Sequence, residues 1–97
     1  MLDLYKGETK RPYSFTSGLD LDGQTLQAEA YAEDGTSYPL NSDGVTAVGN
    51  GPDIETVMYV KSPESMPVGV YAIKIFTDEV VVSKDRLRHY GENPFEF

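Results

Sequence analysis

The sequence predicts an all-β protein, a sandwich or barrel of about seven or eight short antiparallel strands. Three observations carry that expectation. Residues 68–77 hold the densest run of β-branched and aromatic residues in the chain. Turn-forming Gly, Pro, Asn and Asp recur about every eight to twelve residues. No stretch keeps a helical period over three turns.

The elements follow in order. Residues 1–5 alternate weakly and read as a short strand or arm, closed by a turn at Lys6-Gly7-Glu8. Residues 11–17 form a second strand with Tyr13 and Phe15 on one face, and Pro12, lacking a donor, places it at an edge or a strand start. After the turn at Asp20-Leu21-Asp22-Gly23, residues 25–32 alternate cleanly. Leu26, Ala28, Ala30 and Ala32 take one face, and Gln27, Glu29 and Tyr31 the other. Alanine and glutamate favour a helix locally, but the pattern is that of a half-buried strand. Asp34-Gly35 makes a hairpin turn into a return strand at residues 37–40. Residues 41–52 are loop, rich in Gly and Asn, with a short strand at 45–48. Residues 54–61 form a strand with Ile54, Met58 and Val60 on one face. A loop with two prolines, Pro63 and Pro67, follows.

Residues 68–77 then form the strand around which the rest is organised. Tyr71, Ile73 and Ile75 share one face; Val70, Ala72, Lys74 and Phe76 share the other. Both are largely apolar, which predicts a central strand covered on at least one side. The Pro67 and Gly69 entrance and the β-branched residues argue against a helix. A tight turn at Asp78-Glu79 leads to a partner strand at 80–83. Residues 84–89 read as one helical turn or an irregular bend, and residues 93–97 as a last strand.

The 97 residues suit one domain, 1–97, with 91–97 as a flexible or docking tail. There is no cysteine, so neither disulfides nor thiolate metal sites arise. No signal-like start and no long apolar run occur, so the expectation is a chain made in the cytoplasm, without a membrane span. A net charge of -8 argues against nucleic-acid binding and for solubility.

The residue types point away from catalysis. His89 is the only histidine, with no Gly-x-Ser-x-Gly motif and no cysteine beside it, and a surface position suits it better than a triad. One histidine also excludes multi-histidine zinc sites. Carboxylate pairs arise by chance among 16 acids. Asp20, Asp22 and Glu29 have the spacing of a calcium loop around Gly23, but the first ligand position would be Gly18, so no cofactor or metal is expected. Lys84, Arg86 and Arg88 beside Tyr90 suit docking on another protein better than nucleic acid. The seven tyrosines cannot all be core, and they supply contact area as readily as packing. Apolar ends on an acidic body make Leu2, Leu4, Tyr5, Tyr90, Phe95 and Phe97 the expected interface residues.

One resemblance runs along most of the chain. Leu4-Tyr5-Lys6-Gly7-Glu8-Thr9 precedes a strand, a hairpin follows at Asp34-Gly35, and a strand occupies 54–61. Next come a Pro-x-Gly-x-Tyr entrance at 67–71 and a closing acidic turn at Asp78-Glu79. This order resembles the small immunoglobulin-like domains of tailed-bacteriophage structural proteins in baseplate, tail and receptor-binding assemblies. The resemblance implies an immunoglobulin-like β-sandwich without catalysis, in a virion. Its partners would be other virion proteins or copies of itself in a ring or trimer. Two further classes stay open: a carbohydrate- or receptor-binding sandwich, and a small acidic inhibitor of a host protein.

Overall fold

A computed structural model of the protein describes residues 1–42 and 46–91. The fold is all-β. Its strands are β1 (Leu2–Tyr5), β2 (Arg11–Phe15), β3 (Thr25–Tyr31), β4 (Ser37–Pro39), β5 (Ala47–Val48), β6 (Thr56–Val60), β7 (Gly69–Phe76) and β8 (Val81–Tyr90). One sheet runs β1-β8-β7-β3-β4, with β5 pairing to β3 off that path. The other is the antiparallel pair β2-β6. The inward side chains of both sheets join one buried cluster, an arrangement compatible with a β-sandwich.

β7 is central, between β8 and β3. Tyr71, Ile73 and Ile75 are buried, as their shared face predicts. Among the described residues the opposite face is left open, with Val70 53% exposed. The period of two sets the same alternation elsewhere. Leu26, Ala28 and Ala30 point inward from β3, and Met58 and Val60 from β6.

Several expectations need correction. Residues 84–89 are not a bend: they belong to β8, the longest strand. Its alternation is disguised because polar Asp85 and His89 occupy inward positions beside Leu87. Ile54 lies outside β6 and is 58% exposed, so Thr56 takes the inward place assigned to it. The strands are not all antiparallel. β1 pairs parallel with β8, setting Leu2 beside Leu87 and Leu4 beside His89. The last strand expected, residues 93–97, lies outside the described residues, as does Val45.

Polar side chains complete the ladders where the chain changes sheet. The Leu40 amide donates to Ala28 O, and the Lys61 amide donates to Leu40 O. Asn41 then stands in for a strand. Its Oδ1 accepts from the Ala28 amide at 2.7 Å and its Nδ2 donates to Leu26 O at 3.2 Å. Its own backbone bridges to Val60 of the other sheet. The β3 groups are thus satisfied while the chain crosses over. At the β7–β8 turn Thr77 Oγ1 accepts from the amides of Glu79 and Val80, both at 3.2 Å. A bulge beside Ile75 and Phe76 follows there, and Val82 is buried.

Candidate functional site

The outer face of the larger sheet is the most distinctive surface. Register builds it. Across β7 and β8, Val70 opposes Arg88, Ala72 opposes Arg86, and Lys74 opposes Lys84. All lie on the face turned away from the core, because their strand neighbours Tyr71, Ile73 and Leu87 are buried. Lys84, Arg86 and Arg88 therefore form a row along β8 beside exposed apolar side chains of β7. A hollow open to solvent lies beside this row, lined by Tyr31, Ala32, Glu33, Val70, Ala72 and Arg86 among others.

The carboxylates of this face flank the cations without forming an ion pair with them among the described residues: Asp3 is the cross-strand neighbour of Arg88, and Glu29 that of Lys74. Glu29 Oε2 accepts from Tyr31 Oη at 2.6 Å, and Asp3 Oδ1 accepts from Tyr90 Oη at 3.3 Å. The bond to Glu29, with some burial, pushes the Tyr31 hydroxyl above its ordinary pKa. Lys74 Nζ sits 4.6 Å from the centre of the Tyr31 ring. Among the described residues, the ion pair found is Met1 N with Asp85 Oδ1 at 3.5 Å, on the inner side of β8. Lysines directly opposite each other, as Lys74 and Lys84 are, repel.

Tyr5 and Tyr90 stack at 4.8 Å between ring centroids, half-buried beside the row. Leu2 and Leu4 do not reach the surface: they are 6% and 0% exposed and belong to the protein's own core. Parallel pairing with β8 turns them inward. Phe95 and Phe97 lie outside the described residues.

His89 corrects a second expectation. It is not on the surface but fully buried. Its Nδ1 lies 3.0 Å from Pro67 O, and its Nε2 lies 2.7 Å from Ser62 Oγ. A carbonyl only accepts, so in the neutral ring Nδ1 carries the hydrogen and Nε2 accepts from the Ser62 hydroxyl. Tyr71 Oη also donates to Pro67 O, at 2.6 Å. The Ser62 amide donates to Glu8 O. A histidine and a tyrosine from neighbouring strands thus pin the β6–β7 loop. The third group on the ring is an uncharged carbonyl, not the carboxylate that steadies an imidazolium in a triad.

Asp85 faces inward from β8 and accepts from Tyr13 Oη of the other sheet at 3.2 Å. Burial raises the Asp85 carboxyl. The Arg86 amide, the N-terminal ammonium and the Tyr13 hydroxyl outweigh that and hold it below the usual carboxylate value. Burial pushes the Tyr13 hydroxyl upward.

The calcium-spaced carboxylates do not converge. Asp20 Oδ1 accepts from the Asp22 amide at 3.2 Å within its own loop, while Glu29 lies mid-strand on the outer face with Tyr31. Among the described residues no group of three or more His, Asp or Glu could hold a metal ion. No helix of the described residues is long and apolar enough to cross a membrane.

The sequence reading named Lys84, Arg86 and Arg88 but missed Lys74 and Val70 as their neighbours. Their two-residue spacing was visible, but the strand pairing that aligns them was not. A scan against protein-family models finds no match, and a search of curated proteins finds none either.

Proposed function

We propose that this protein is a non-catalytic structural module of a tailed-phage virion, in the tail, baseplate or neck. It works through contacts with other virion proteins or with copies of itself. The observation that carries the reading is the outer face of the larger sheet. There Lys84, Arg86 and Arg88 line up beside exposed Val70 and opposite Lys74, and form no ion pair among the described residues. A soluble chain that needs only to stay folded gains nothing from aligning like charges on adjacent strands. A binding surface does, because a partner relieves the repulsion.

The strand order supports an immunoglobulin-like sandwich. The first strand lies parallel beside the last, and β2 pairs with β6 across from them. Localisation in the virion, after synthesis in the host cytoplasm, belongs to the same reading.

Light scattering over a rising concentration series tests it, together with binding to isolated virion proteins. A defined oligomer or a virion partner supports the assembly role. A strict monomer that binds no virion component overturns it. One observation favours a second reading, a small acidic inhibitor of a host protein. Residues 16–24, 49–55 and 77–80 carry acids and no lysine or arginine. Salt-sensitive binding to a basic host protein would mark that role.

A further inference from the structure

The acids of those three segments gather at one end of the molecule. Strand direction brings them there. β2 ends and β3 begins at this end, β6 begins there, and the β7–β8 turn closes there. The Leu21 amide donates to Asn50 O and the Gly23 amide to Gly49 O, tying 16–24 to 49–55. Gln24, Thr25, Thr77, Asp78 and Glu79 line one hollow, which places the β7–β8 turn beside them. Asp20, Asp22, Asp53, Glu55, Asp78 and Glu79 therefore crowd this end, and all are exposed. The opposite end is mixed, with Lys6, Lys10 and Lys61 among its acids.

We infer that the acidic end of one copy docks on the Lys84, Arg86 and Arg88 row of a second copy, joining copies end to face. The inference rests on the assembly reading above and names its surfaces. Charge complementarity selects the occupant. The chain carries a net charge of -8, so two copies repel at random orientations. The end-to-face approach sets an all-acidic surface against the Lys84, Arg86 and Arg88 row, which forms no ion pair among the described residues although Asp3 stands opposite Arg88. Exposed Val70 and Ala72 lie beside the row and add apolar area to the contact. The two surfaces differ, so the contact is heterologous. It leaves a free face and a free end on every pair, and it propagates into a ring or a filament.

A complementary charge swap tests this by sedimentation velocity. One variant is Arg86→Glu with Arg88→Glu; the other is Asp78→Lys with Glu79→Lys. All four side chains are exposed, and the turn bonds at Thr77 use backbone amides, so both variants should keep the wild-type circular dichroism. Each alone should associate about tenfold more weakly than wild type, or less still. Mixed together they should associate again, in alternation, because the reversed face of one now fits the reversed end of the other and the unchanged end of the first still fits the unchanged face of the second. Added salt should weaken wild-type association. A variant that associates as wild type does, or a mixture that stays monomeric, overturns the end-to-face contact. If wild type assembles while reversal changes nothing, this contact falls and the assembly role stands. If wild type is monomeric yet binds virion proteins, the contact falls alone. If it does neither, both fall.

Discussion

Ser62 Oγ lies 2.7 Å from His89 Nε2, so a loop serine closes over a histidine that is fully buried. The bond matters because Nε2 would otherwise be buried without a partner, Nδ1 being satisfied by Pro67 O. His89→Ala would leave a cavity and orphan the Ser62 hydroxyl. It should cost about 2–5 kcal/mol. Ser62→Ala should cost less, about 1–3 kcal/mol, by leaving Nε2 unsatisfied. Urea unfolding of the two variants checks the order. An His89→Ala protein as stable as wild type would show that the loop is not held this way.

Asp85 makes stability depend on pH in acid. Its carboxyl is held below the usual value in the folded protein. A depressed carboxylate stabilises the fold above its unfolded pKa of about 3.9, and the contribution disappears as pH falls through the lower folded value. Asp85→Asn should remove this part of the acid dependence and leave the slope near neutral pH unchanged. Thermal melts of both proteins between about pH 2 and 6 check it. Identical acid slopes would rule Asp85 out as a contributor.

Gly49 sits where backbone meets backbone. A Cβ built there would lie 2.4 Å from Leu21 Cβ and 2.6 Å from Leu21 O. Leu21 is buried at 2% exposure and its loop is tied down by hydrogen bonds, so it has little room to yield. Gly49→Ala should destabilise by about 1–3 kcal/mol through overpacking. By contrast Gly51→Ala, whose Cβ would meet only Ile54 Cδ1 at 3.8 Å, should be nearly neutral. Equal melting temperatures for the two variants would contradict this.

Ile73 is 1% exposed at the middle of β7. Ile73→Ala should cost about 2–4 kcal/mol through lost transfer energy and a residual cavity. Val70→Ala, three residues earlier on the open face, should cost under about 0.5 kcal/mol. Denaturant midpoints measured side by side would refute the face assignment if the two losses were equal.

What the sequence determined by itself is the local part of this protein. The two-residue period of Leu26, Ala28 and Ala30, and of Tyr71, Ile73 and Ile75, set which side chains turn inward. Local backbone chemistry at Asp34-Gly35 and Asp78-Glu79 set the turns. Those signals act between near neighbours, so they can be read along the chain. Only the tertiary structure decided what distant segments do to one another. His89 looked like a surface residue because its partners, Ser62 and Pro67, lie 27 and 22 positions away. Leu2 and Leu4 became core because β1 lies parallel against β8, a pairing no local pattern encodes. The cationic row shows the division most plainly. The alternation of Lys84, Arg86 and Arg88 was in the sequence. Lys74 and Val70 were set beside them by a cross-strand register that the burial of Ile73 and Leu87 enforces, since a one-residue slip would turn those apolar side chains into water.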